Sequence, residues 1–179
     1  MHRLTVALAA LLAATLPAAA QTNDQSVCFS NEGAPDTRIG ACTRLIQSGR
    51  AKGPTLARAF HWRGSALYKK GEYDRALADD NESIRLDPKF ASAYNNRATN
   101  LAAKRDYDRA IADLTQAIRL DPKPAIFYVN RALYFSAKNE HQKALADYKA
   151  ALARGRQDAA EAIKNTERLI ANAEARARG

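Results

Sequence analysis

The chain has 179 residues, with 28 Lys and Arg against 19 Asp and Glu, for a formal net charge of +9. That length suits one domain. The cations are spread along the chain and interleaved with carboxylates, not gathered into the patch a nucleic-acid binder uses. Outside the first twenty residues no stretch is apolar enough to cross a bilayer. Neither nucleic acid nor stable membrane insertion is therefore expected.

Taken in order, residues 1–20 read as a secretory signal peptide of bacterial style. His2 and Arg3 give a basic start, Leu4 to Leu16 a short apolar run, and Pro17-Ala18-Ala19-Ala20 a small-residue cleavage site before Gln21. The apolar run is too short to span a membrane. No Cys follows the cleavage site directly, so a lipid anchor is not expected. The localisation implied is periplasmic or secreted. Cys28 and Cys42 are the only two cysteines, and an even pair in an exported chain is expected to form a disulfide. A metal site would need two further ligands nearby, and a redox pair usually has closer spacing; neither has support. Residues 21–35 are polar with Gly and Pro and predict an extended lead-in. Within 36–50, Asp36 is expected to cap a helix from Thr37 to about Ser48, with Ile39, Cys42, Leu45 and Ile46 apolar. That helix is expected to cover the open end of the next helical unit, with the disulfide pinning the lead-in to it.

From Ala57 the chain repeats. Ala91–Pro124 matches Ala57–Phe90 at 17 of 34 positions and Ala125–Asp158 at 11 of 34. A period of this size signals a stack of supersecondary units. In the middle unit, helices are predicted over Ser92–Lys104 and Tyr107–Leu120. Tyr94, Ala98 and Leu101 recur at helical spacing on the first; Ala110, Leu114, Ala117 and Ile118 do so on the second. Pro122 stops the second helix. Nine equivalent places hold only Gly, Ala or Ser: Gly64, Ala98 and Ala132; Ala76, Ala110 and Ala144; Ser83, Ala117 and Ala151. Bulkier side chains there would hold helix axes beyond the about 8–10 Å of close packing. One hairpin cannot shelter its own apolar faces, so stacking is required.

Arg63, Arg97 and Arg131 each precede an Asp by sixteen residues: Asp79, Asp113 and Asp147. In a helical hairpin these face one another, which predicts a structural ion pair in each unit; ligand binding by the arginines is the alternative. Residues 159–179 carry a narrow apolar stripe (Ile163, Thr166, Leu169, Ile170, Ala173) backed by charge. Such a helix caps the far end of a stack; an amphipathic partner-binding helix is the alternative.

The spaced pattern Phe60-Gly64-Leu67-Ala76-Ser83-Pro88, Tyr94-Ala98-Leu101-Ala110-Ala117-Pro122 and Tyr128-Ala132-Phe135-Ala144-Ala151 resembles the tetratricopeptide repeat, over residues 57–158. The resemblance implies an all-α fold, a short right-handed α-solenoid. Its three hairpin repeats would be 57–90, 91–124 and 125–158, between capping helices 36–50 and 159–179. Arg156 replaces the last Pro, with Gly155 as the helix stop instead. Asp80 stands where an aromatic or Leu is usual, and looser packing of the first unit is expected there.

In this family the first helix of each repeat lines a concave groove. By that resemblance the groove side chains are Arg58, His61, Trp62, Ser65, Tyr68 and Lys69 in the first unit. The second contributes Ser92, Asn95, Asn96, Thr99 and Ala102, and the third Ile126, Val129, Asn130, Leu133 and Ser136. The lining runs from cationic and aromatic through amide to aliphatic, which suits an extended peptide or protein segment. Trp62 is either an anchor for that segment or packed on the preceding helix near Ile46. His61 has no second His or carboxylate at helical spacing, so it is a poor metal or catalytic group. His141 replaces the Tyr of the other units and is expected to pack. Chaperone adaptors of the family grip a C-terminal carboxylate. Asn96 matches one of the gripping places, but His61, Ser65, Ile126 and Asn130 stand at others, so that activity is not expected. No nucleophile with a base, metal cluster or phosphate loop is present. A non-catalytic binding module without cofactor is expected. A self-associating or envelope-assembly module is the alternative, with the oligomeric state open.

Overall fold

Helix follows helix because apolar residues return every three or four positions and each turn carries its own stop signal. The computed structural model describes residues 18–30 and 32–178; the expected signal peptide, up to Pro17, lies outside the described residues. The helices are α1 (Ala18–Phe29), α2 (Pro35–Gln47), α3 (Gly53–Lys69), α4 (Tyr73–Leu86), α5 (Ala91–Ala103), α6 (Tyr107–Leu120), α7 (Ala125–Ala137), α8 (His141–Leu152) and α9 (Ala159–Arg178). No strand occurs among the described residues. The hairpins α3–α4, α5–α6 and α7–α8 pack internally and then stack through α4 on α5 and α6 on α7. The first helices α3, α5 and α7 touch in sequence and form the inner layer.

Small residues set the spacing. All nine of the repeated Gly, Ala and Ser positions are buried. Leu114 is fully buried at the centre, in one apolar cluster with Ala98, Leu101, Ala110, Ala117 and Phe127. The turn inside each hairpin needs one residue in the left-handed region. Gly71, Arg105 and Asn139 fill it, with φ of 77°, 64° and 61°; Gly alone adopts that conformation freely. After α8, Gly155 takes φ 87° and ends the helix that lacks a proline.

Each repeat arginine closes a two-pronged pair. Arg63 donates from Nε and Nη2 to Asp79 at 2.7 Å each. Arg97 does the same to Asp113 at 2.7 Å, and Arg131 to Asp147 at 2.7 and 2.8 Å. The third nitrogen, Nη1, reaches back to the preceding outer helix: to Thr43 at 3.2 Å, Asn81 at 2.9 Å and Thr115 at 3.0 Å. Lys70, Lys104 and Lys138 likewise pair with Asp36, Asp74 and Asp108. Asp36 precedes Thr43 by the same seven residues that separate Asp74 from Asn81 and Asp108 from Thr115. Thus α2 occupies the place of the second helix of a missing preceding unit.

Three expectations at the ends and the first unit are corrected. The segment 21–35 is not extended: α1 runs to Phe29. Its polar composition gave no apolar face, but Val27, Cys28 and Phe29 pack on Ala41, Cys42 and Leu45. Arg44 also grips Asp24 from Nε at 3.0 Å and Nη2 at 2.6 Å. Tertiary contact here outweighs local propensity. Cys28 and Cys42 are joined in a disulfide with Cα atoms 4.8 Å apart. Next, α2 starts at Pro35 with Ala34 as its N-cap, so Asp36 lies in the first turn and caps nothing; proline is well suited to that first position. Lastly, Asp80 does not loosen the first unit: it is fully buried. At the other end α9 packs on α8 through Ala159, Ala162, Ile163 and Thr166. Leu169 of the predicted stripe remains exposed.

Candidate functional site

The three inner helices contain no Asp or Glu. Their side chains form a groove graded along the stack. Ser65, Tyr68 and Lys69 of α3 and Asn96, Thr99 and Asn100 of α5 enclose a space of about 240 Å³. On α7, Ile126 and Leu133 are 38% and 50% exposed, while Val129 is partly buried between two apolar clusters.

The amides are tied together across helices. Asn130 Nδ2 donates to Asn95 Oδ1 at 2.9 Å. Asn96 Nδ2 donates to His61 Nδ1 at 3.1 Å and to the His61 carbonyl at 3.4 Å. That arrangement fixes the amide faces and leaves Asn96 Oδ1 and Asn130 Oδ1 for an incoming donor. The Thr99 hydroxyl donates back to the Asn95 carbonyl at 3.0 Å.

The α3 end is more closed than the sequence suggested. Trp62 packs with Leu56 and Ile46 against the cluster around the disulfide, with the Arg38 guanidinium 5.5 Å from its ring centre. Of its two readings, the structure shows the packing one. Arg58 stacks over Phe29 at 4.5 Å. His61 is only 8% exposed, with Phe90 4.9 Å away. Burial, and then the charge of Arg58, lower its imidazole to about 4, so it is neutral and adds no cation. The repeat arginines point across to α4, α6 and α8, each closed on its Asp.

The buried histidine makes a testable pH dependence. Its folded value lies below its unfolded one, so its stabilising contribution is complete above about pH 6.5 and fades as pH falls towards 4. The loss is expected to approach about 3 kcal/mol. Urea denaturation of His61→Gln against the parent at several pH values should show that fall removed; parallel profiles would refute it.

One groove residue escaped the sequence reading. Asn100 occupies the place of Ala66 in α3 and Tyr134 in α7, and this unit-to-unit variation was the available signal. Tyr134 is half-buried against the central cluster, and burial raises its phenol.

Residues 95–160 match the tetratricopeptide repeat family and residues 54–99 match the TPR repeat family. The chain is a tetratricopeptide repeat (TPR) protein. As a TPR protein it belongs to a class of non-catalytic scaffolds. It is similar to the first TPR of Spaghetti (RPAP3) bound to the HSP90 peptide SRMEEVD. The identity there is 21% and the TM-score 0.64, over 69% of this chain and 99% of that one. The Arabidopsis OM64 TPR domain is 25% identical with a TM-score of 0.60, over 63% of this chain and 94% of that one. The second TPR domain of human RPAP3, in complex with the HSP70 peptide SGPTIEEVD, is 26% identical with a TM-score of 0.60. It spans 64% of this chain and 98% of that one. No curated protein sequence matches the chain.

Proposed function

We propose that this TPR protein is an exported scaffold that binds an extended peptide or protein segment in the groove of α3, α5 and α7. The carrying observation is the groove itself: no acidic residue on the inner helices, oriented amides at the centre, and exposed Ile126 and Leu133 at the far end. Helix axes about 8–10 Å apart and about 3.3 Å per extended residue make α3 to α7 a span of about six peptide residues. Lys69 favours an acidic side chain at one end, and Leu133 an apolar one at the other. The similar human RPAP3 domain, in complex with a peptide, supports groove use. A grip on a chaperone tail is not carried over, because His61 is buried and neutral and Ser65, Ile126 and Asn130 are uncharged. Periplasmic or secreted placement rests on the character of residues 1–20 and on the disulfide.

The test is a crosslinking pull-down from the native envelope with the full chain, alongside Lys69→Glu and Leu133→Asp. Both side chains are exposed, so neither change should alter the melting temperature, and each is expected to cut partner recovery at least about tenfold. Undiminished recovery with both variants would reject groove binding. A second reading, assembly through the end of the stack, is favoured by Leu169, exposed on the apolar stripe of α9. Light scattering that shows only monomer at high concentration would exclude self-association.

A further inference from the structure

Three departures from the repeat meet at one point. Asp80 stands where α6 has Leu114 and α8 has Tyr148, Asn100 where α3 has Ala66 and α7 has Tyr134, and Gly64 where α5 and α7 have Ala98 and Ala132. A Cβ on Gly64 would lie 3.0 Å from Asp80 Oδ1, so the glycine makes room for the carboxyl group. Asp80 and Asn100 are 0% and 1% exposed. Asn100 Nδ2 donates to Asp80 Oδ2 at 2.8 Å and to the Asn96 carbonyl at 3.2 Å. With both amide protons directed at acceptors, the orientation of Asn100 is settled.

Two acceptors are then left over. Asp80 Oδ1 and Asn100 Oδ1 are buried, and neither has a partner among the described residues. Buried acceptors left without a donor destabilise the fold. A proton on Asp80 would turn one orphaned acceptor into a donor, beside a hydrogen-bonded partner whose own Oδ1 is left without one. The neighbouring cations are already paired with other carboxylates. On α3, Arg63 is closed on Asp79; on α5, Arg97 is closed on Asp113. Burial holds the Asp80 carboxyl group well above the usual carboxylate range, the Asn100 amide opposing. The charges of Asp79 on α4 and Asp113 on α6 raise it further, and Arg97 opposes.

We propose that Asp80 stands in the folded protein at neutral pH as a carboxylic acid paired with the Asn100 amide, and that this acid–amide pair positions Asn100 in the groove. Asn100 is at once the partner of Asp80 and a wall of the space beside Ser65, Asn96 and Thr99. Loss of the proton puts a negative charge beneath an otherwise acid-free lining and removes the donor on Asp80. The significance for binding rests on the groove reading above; the proton and its effect on Asn100 do not.

The test is an NMR pH titration of the full oxidised chain carrying 13C-labelled Asp carboxyl groups, with Asp80→Asn used to assign the signal. The Asp80 carboxyl carbon is expected to keep its protonated shift at pH 7. On raising the pH, the Asn100 side-chain amide signals should move with the same midpoint as Asp80. In Asp80→Asn, which supplies a permanent N–H donor, those amide signals should hold their positions across the same range. An ionised Asp80 shift at pH 7 would overturn the proposal. So would an Asn100 response that persists in Asp80→Asn. No ligand enters either readout, so this result and the fate of the groove reading are decided separately.

Discussion

Replacing Arg97 with methionine is expected to destabilise the protein by about 3 kcal/mol. The guanidinium makes two bonds of 2.7 Å to Asp113 and a third of 2.9 Å to Asn81. Methionine keeps much of the apolar stem but supplies no donor. Asp113 is 8% exposed and would be left without its counterion. Breaking one side of a buried pair typically costs about 3–5 kcal/mol, and the partial exposure of Arg97 places this pair at the lower end. The same feature predicts a rescue. Adding Asp113→Leu removes the stranded carboxylate and should return a large part of the loss, because an apolar pair of similar volume often replaces an ion pair without penalty. Urea denaturation of the two single variants and the double one measures the coupling directly. A loss in Arg97→Met no larger than that of Arg119→Met, a change at an exposed arginine, would show the repeated pairs to be ornamental.

Removing the disulfide with Cys28→Ala and Cys42→Ala together is expected to cost about 3 kcal/mol, the loop-closure term for about 15 residues. The effect should be local. In a stack each unit touches only its neighbours, and the disulfide ties α1 to α2 at one end. Without it α1 retains Val27, Phe29 and the Asp24–Arg44 pair, a small holding for a short helix half of whose residues are polar. Amide hydrogen exchange should rise steeply in α1, moderately in α2 and little in α5 and α6. Uniform acceleration over the whole chain would instead indicate a single cooperative unit.

These outcomes bear on what the sequence discloses. The hairpins were legible because each is specified several times over. The 34-residue period, the small residues at Gly64, Ala98 and Ala132, and the spacing of Arg97 from Asp113 all point to one arrangement. The helix over Ala18–Phe29 was not legible, since its hold comes from Arg44 and Cys42, twenty and fourteen residues ahead of their partners. Local composition is silent on such contacts. The groove was half legible. Resemblance names the positions that line it, but the degree of closure depends on which side chains find partners. Trp62 turned to the cluster around the disulfide and His61 to Phe90. Asn100, whose counterparts are Ala66 and Tyr134, became a wall of the groove beside Asp80.

Peptides selected from a random-sequence library on the full oxidised protein, then titrated into 15N-labelled protein, give the most direct reading of where a segment binds. The largest amide shifts are expected at Ser65, Asn96, Thr99, Asn130 and Leu133, along one face of α3, α5 and α7, and they should vanish in Leu133→Asp. Shifts gathered on α4, α6 and α8, or confined to α9, with the inner helices unmoved, would contradict the groove as the binding surface.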